Sequence, residues 1–225
     1  MIGPAEALSR VLTPVPPAKP SSVKRLGEIQ RRIPDAADII LLGDSLAAAW
    51  PDALVAEAFP DRRVWNFGLP GDRIQNTLWR LETVATEHLR PREVVLLLGT
   101  NNLGDGDAAG EIAQGLTTLR GRIAELWGGP RVILITIPRR GEAPGFREET
   151  RLAIRDQLAG DVAAMADTIV VDADDILAAG RGEASSLLPD LLHISEAGYA
   201  RLSAALRVLT QAREEPHRSR PASGG

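Results

Sequence analysis

IILLGDSLAAAW, residues 39–50, passes from four consecutive apolar side chains through Gly-Asp-Ser into an alanine-rich stretch of helical character. An uninterrupted short apolar run is the pattern of a strand covered on both faces. A strand, a tight turn and a helix in succession are the opening of a βα unit. The pattern recurs along the chain. Strand-like runs are DIILL (38–42), RVWNF (63–67), EVVLLL (93–98), RVILITI (131–137) and TIVVD (168–172). Between and after them, apolar residues at spacings of three and four predict helices over Leu46–Ala58, Arg73–His88, Ala108–Trp127, Glu148–Met165 and Ser195–Thr210. Five such units predict an α/β fold: a three-layer sandwich around a five-stranded parallel sheet with flavodoxin-like winding.

The chain has 225 residues, enough for one sizeable core, so one folded body is expected from Val23 to Arg213. Residues 12–22 (LTPVPPAKPSS) are rich in Pro and Ser, and residues 1–22 are expected as an extended arm; residues 214–225 are expected as a disordered tail. A formal charge of -4 with dispersed arginines gives no basic footprint for nucleic acid. No apolar run reaches the length of a membrane span, and prolines interrupt the N-terminal stretch before a signal-peptide core could form, so a cytoplasmic location is expected. The absence of cysteine excludes disulfides, thiolate catalysis and Cys-ligated zinc, and three histidines offer little to a metal. No cofactor and no metal are expected. Polar chemistry falls to Ser, His and carboxylates.

In a doubly wound sheet, ligands bind beyond the carboxyl ends of the strands. Four polar motifs fall there: GDS (43–45), GLPGD (68–72), GTNN (99–102) and PDLLH (189–193). Each has an ordinary structural reading. Ser45 would serve as a helix N-cap, worth about 1 kcal/mol. GLPGD would be a Gly/Pro turn with Asp72 capping the next helix, and GTNN an Asx-type turn. Each has a chemical reading as well. Ser45 sits where a helix N-terminus and backbone N–H groups stabilise an oxyanion, the bare N–H of Gly71 can approach a ligand, and the Asn101 amide is a donor. His88 would complement the dipole of the helix it ends, and His217 lies in the tail, which leaves His193 to reach the active edge, with Asp190 placed to hold its Nδ1. All four motifs on one edge make coincidence a poor account. The GxGxxG of dinucleotide folds and the GxSxG nucleophile elbow are both absent.

These four blocks, GDS, the glycine of GLPGD, GTNN and DxxH, resemble those of the SGNH, or GDSL-type, esterases and lipases, over about Asp38 to Val208. NFGLPGDRIQNTLWRL (66–81), GTNN and IPRRGEAP (137–144) are particularly similar to the catalytic subunits of the intracellular platelet-activating-factor acetylhydrolases. The resemblance implies Ser45 as nucleophile, His193 as general base, Asp190 as its orienting partner, and the Ser45 backbone N–H, Gly71 and Asn101 as the oxyanion hole. Asp44 and Asn102 match supporting positions. Pro70 departs from the glycine usual in the acetylhydrolases, and Leu46 and Ala47 differ beside the nucleophile. The implied activity is hydrolysis of short, acetyl-type carboxylic esters through an acyl-enzyme, with a small-molecule ester as partner and a homodimer among the assemblies allowed. A carbohydrate O-deacetylase using the same site, or a non-catalytic binding module of the same fold, are the alternatives.

Overall fold

Five apolar runs form five parallel strands: β1 (Ile39–Gly43), β2 (Val64–Gly68), β3 (Glu93–Leu97), β4 (Arg131–Ile135) and β5 (Thr168–Val171). They were located in a computed structural model that describes residues 10–141, 146–161, 165, 167–178 and 185–211. The spatial order is β2-β1-β3-β4-β5, so the chain switches direction across the sheet at β1 and β3. This is the flavodoxin-like order, and it puts the crevice for a ligand at the ends of β1 and β3.

Side chains alternate between the two faces of the sheet, as the two-residue strand period requires. Ile40, Leu42, Val94, Leu96, Val132 and Leu134 face a core built with α1 (Pro20–Gln30), α4 (Ile74–Thr83), α6 (Ala109–Trp127) and α7 (Glu148–Asp161). Ile39, Leu41, Val95, Leu97, Ile133 and Ile135 face a second core with α2 (Ser45–Ala48), α3 (Asp52–Ala58), α8 (Ala173–Leu177) and α9 (Glu196–Gln211). The remaining short helix, α5 (Thr100–Asp105), follows β3 directly. Among the described residues no helix is long and apolar enough to cross a membrane.

Several elements differ from the sequence expectation. The helix expected over Leu46–Ala58 is two helices, because Pro51 disfavours α geometry at Trp50 and supplies no N–H. The helix expected to reach His88 ends at Thr83, where Val84 takes an extended conformation; His88 is exposed and its Nε2 lies 3.0 Å from the Pro34 carbonyl. His88 therefore serves no helix terminus. The end of the helix expected to reach Met165 lies partly outside the described residues, as do His217 and the tail.

The Pro-rich segment is held against the body. Helix α1 starts at Pro20, at the N1 position that proline's fixed φ favours. Val11 is fully buried among core side chains, the Val15 N–H donates to the Gln75 carbonyl at 3.2 Å, and the Asn76 amide returns a bond to the Val15 carbonyl at 3.0 Å. Residues 10–22 thus run along α4 rather than away from it.

Candidate active site

Gly43 ends β1 opposite Leu97 of β3, and a methyl group at Gly43 would stand 2.0 Å from the Leu97 carbonyl oxygen. Only glycine allows β1 and β3 to close up here. The chain then turns through Asp44, whose carboxylate accepts the Leu46 N–H at 2.9 Å and caps α2. Ser45 is the first residue of α2 rather than its cap. Its hydroxyl is left to other partners.

The principal partner is His193, whose Nε2 lies 3.2 Å from Ser45 Oγ across 148 positions of sequence. His193 Nδ1 is 2.6 Å from Asp190 Oδ2. The other Asp190 oxygen accepts the N–H groups of Leu192 at 3.0 Å and His193 at 2.9 Å. The hydrogen bond from the His193 ring and these two backbone donors hold the Asp190 carboxyl down at about 2. A carboxylate only accepts, so it fixes the proton on Nδ1 and leaves the Nε2 lone pair for the Ser45 O–H.

A tight loop holds this pair. Leu187 bridges to Ile194, the Leu188 N–H donates to the His193 carbonyl at 2.8 Å, and the Leu191 N–H returns to the Leu188 carbonyl at 2.9 Å. Leu191 adopts a left-handed φ of 57°, and its carbonyl accepts the Gly141 N–H at 2.8 Å. Behind Ser45, the Tyr199 hydroxyl of α9 donates to the Leu46 carbonyl at 2.8 Å. The nucleophile candidate and its base are therefore both tied to α9 and its preceding loop.

The second loop is a β-turn: the Asp72 N–H donates to the Leu69 carbonyl at 3.1 Å, with Pro70 and Gly71 at its centre and Gly71 at φ 76°. Proline followed by a left-handed glycine is the signature of a type II turn. Leu69 N–H donates to the Gly43 carbonyl at 3.0 Å, which places the turn beside the Asp44–Ser45 loop. The third loop joins them, since the Asn101 side-chain amide donates to the Asp72 carbonyl at 2.8 Å. That bond uses one of its two N–H groups and leaves the other available.

Asn102 is fully buried and does different work from Asn101. Its Oδ1 accepts the Ile74 N–H at 3.0 Å, at the start of α4, and its amide donates to Gln75 and Asp107 at 3.0 and 2.9 Å. Asp72 does not cap α4; the N-cap is Arg73. Asp72 instead forms a fully buried ion pair with Arg80 at 2.7 Å and accepts the Thr77 hydroxyl at 2.7 Å. Burial raises the Asp72 carboxyl, and the Arg80 guanidinium opposes that rise. Arg80 also donates to the Phe67 carbonyl at 2.8 Å and lies over the Phe67 ring. This pair, which the sequence reading missed, underpins the turn that carries Gly71. Arg80 sits eight positions after Asp72 on an amphipathic helix, and only that spacing hints at the contact.

Among the described residues no three His, Asp or Glu side chains gather as a metal ion would require. The structure thus brings Ser45, His193 and Asp190 into one chain of contacts, and sets Gly71 and Asn101 on adjoining loops at the same sheet edge.

Residues 41–201 match the GDSL-like lipase/acylhydrolase family. The platelet-activating factor acetylhydrolase IB subunit alpha1 of Pongo abelii is 30% identical over 174 residues, covering 76% of this chain and 74% of that protein. The human subunit alpha1 is also 30% identical over the same shares. A lipase/acylhydrolase from Enterococcus faecalis superposes with a TM-score of 0.61 at 28% identity, over 78% of this chain and 96% of that one. A carbohydrate acetylesterase from Sinorhizobium meliloti shares the fold with a TM-score of 0.65 at 20% identity, over 77% and 98% of the two chains. A match over most of the folded body, joined to the four motifs at one sheet edge, makes the chain a member of the GDSL-like lipase/acylhydrolase family and a carboxylic ester hydrolase.

Proposed function

We propose that the protein hydrolyses short-chain esters, acetyl esters foremost, through a covalent acyl-enzyme on Ser45. The observation that carries this reading is His193 poised between Ser45 Oγ at 3.2 Å and Asp190 at 2.6 Å. His193 Nε2 takes the Ser45 proton as Oγ bonds to the ester carbonyl carbon, and the carbonyl electron pair moves onto oxygen. The Ser45 and Gly71 N–H groups and the Asn101 amide receive that oxyanion. When the tetrahedral intermediate collapses, the bond to the alkoxy group breaks and His193 returns its proton to the leaving alcohol. Water then repeats the sequence on the acyl-enzyme, releasing the acid and restoring Ser45.

Acetyl preference is supported by the 30% identical acetylhydrolase subunits and by the burial of the leucines beside Ser45 and Asn102. Leu46, which follows Ser45, and Leu103, which follows Asn102, are 2% and 0% exposed and already belong to the core. The test is steady-state hydrolysis of p-nitrophenyl acetate, an acetylated sugar and an acetylated ether phospholipid, with intact-mass analysis after organophosphate treatment. One adduct on Ser45 and turnover of acetyl esters are expected. Turnover of the acetylated sugar alone would assign the protein as a carbohydrate O-deacetylase, and a folded protein with unmodified Ser45 would end the esterase reading.

A further inference from the structure

The Ser22 side chain is buried, 2% exposed, and its hydroxyl donates to the Pro70 carbonyl at 2.6 Å across 48 positions of sequence. That carbonyl belongs to the same planar peptide unit as the Gly71 N–H. In a type II turn this central peptide is the one whose orientation separates type II from type I, since flipping it interconverts the two. The carbonyl of the unit and its N–H point in opposite directions, so a donor held on one side fixes where the N–H points on the other.

We propose that Ser22 is a positioning residue for the oxyanion hole, locking the Pro70–Gly71 peptide so that the Gly71 N–H faces the reacting carbonyl. The proposal rests on Gly71 acting as an oxyanion donor. Further contacts hold the turn and the segment that lies over it. The Arg73 guanidinium donates to the Gly71 carbonyl at 3.1 Å, which anchors the following peptide. The Lys19 side chain covers the turn, so that a methyl group at Gly71 would stand 3.1 Å from it. Val11 and Val15 fasten the segment that carries Lys19 and Ser22 to the body. Besides orienting the amide, a hydrogen bond to its carbonyl polarises it and strengthens the N–H as a donor. The Pro-rich N-terminal segment thereby braces the turn that carries Gly71.

Loss of a whole oxyanion donor costs on the order of 10²–10³ in kcat, and loss of its orienting partner should cost less. Where a separate aliquot takes up one organophosphate adduct at Ser45, the unlabelled Ser22→Ala protein is expected to lower kcat on p-nitrophenyl acetate about ten-fold with KM changed less than about two-fold. Affinity for a trifluoromethyl ketone, which forms the tetrahedral oxyanion on serine, should weaken by a similar factor, and the Gly71 amide 15N resonance should shift. Ser22→Thr and Ser22→Val match in shape and differ in the hydroxyl, so they carry the comparison if the alanine variant does not fold. Thr is expected to exceed Val in kcat by about five-fold or more. Equal kcat and equal ketone affinity for Thr and Val, in folded protein whose Ser45 proves reactive to organophosphate in a separate aliquot, would overturn the role of Ser22 and leave the esterase reading standing. Failure of the wild-type protein to be labelled at Ser45 would remove both.

Discussion

Asp44 Oδ1 accepts the Leu46 N–H at 2.9 Å, so the cap of α2 belongs to Asp44 and the neighbouring Ser45 hydroxyl is free to face His193. The division of labour separates stability from chemistry at adjacent positions. Ser45→Ala should abolish ester hydrolysis, by about 10⁵–10⁶ in kcat, while the thermal midpoint stays within about 1 °C. Asp44→Ala should lower the midpoint by about 1–8 °C, from a cap loss of ~0.5–2 kcal/mol. Calorimetry beside an acetyl-ester assay reads both. A fall in midpoint for Ser45→Ala equal to that of Asp44→Ala would return the capping role to Ser45.

Asp44 also governs a pH dependence. Burial pushes its carboxyl up to about 7, with the Leu46 N–H pulling down and the Asp72 carboxylate pushing up. Among the described residues its buried Oδ2 accepts no hydrogen bond, which adds to the cost of the charged form, while the Gly99 N–H lowers that cost. A folded-state value above the unfolded one means that the group favours the folded state fully below about 4, and that this contribution is lost as pH rises through about 7. Asp44→Asn cannot ionise. Its thermal midpoint relative to wild type should therefore rise between pH 4 and pH 7 and level off above, as followed by calorimetry at matched ionic strength.

Asn101 and Asn102 are consecutive and should fail in opposite ways. Asn101 is partly exposed and its amide bonds Asp72 O, so Asn101→Ala should keep the midpoint near wild type and lower kcat by about 10²–10³. Asn102 is buried and satisfies Ile74, Gln75 and Asp107, so Asn102→Ala strands several buried groups at about 1–3 kcal/mol each. A large drop in denaturant midpoint is expected for Asn102→Ala. Equal effects of the two variants on stability would contradict this assignment.

How far these roles could be read beforehand depends on the range of the interaction. The strand runs and their order of use were legible because a parallel strand buried on both faces leaves an uninterrupted apolar run such as IILL or VVLLL. The contact between Asp190 and His193 was legible because three residues of separation suffice for a loop to close them. Asp44 and Ser45 are both good cap residues, and sequence alone does not choose between them. Helix α1 was hidden because its register rests on Ser22, Leu26 and Ile29, while Val23 between them is half exposed and the prolines before it suggest an extended arm. Arg80 was hidden for a different reason. An arginine on an amphipathic helix reads as solvated, and only the fold supplies the Asp72 carboxylate and Phe67 carbonyl that let it be buried.

Asp190 should remain ionised through the whole working range, since His193 and two backbone N–H groups hold it at about 2. Its protonation would restore the ordinary carboxyl only near that pH, where the orienting contact would be lost. Between pH 4 and pH 7 Asp190 should therefore add no step of its own to log kcat/KM against pH. A step there that is absent from Asp190→Asn would place the Asp190 ionisation inside the working range. Asp190→Ala should lower kcat by roughly 10²–10⁴, because Nδ1 loses the partner that selects its tautomer.

Acyl length tests the substrate side of the proposal. A hydrolase with a groove for the tail gains about 0.8 kcal/mol for each methylene it buries, close to four-fold in binding per carbon. In this protein Leu46 and Leu103 are consumed by the core, and the loop carrying His193 presents Leu188 and Leu191 outward, at 43% and 42% exposure. Leu191 packs on Gly141, where a methyl group would stand 3.1 Å away, so that side offers no open channel beside the glycine. A longer tail therefore finds no unoccupied wall in Leu46 or Leu103. We expect kcat/KM to fall from p-nitrophenyl acetate or propionate to the octanoate, mainly through kcat as the tail displaces the carbonyl from the Gly71 and Asn101 donors. A continuous rise to the octanoate would reject the short-acyl assignment, while single-adduct labelling of Ser45 would still stand for the nucleophile.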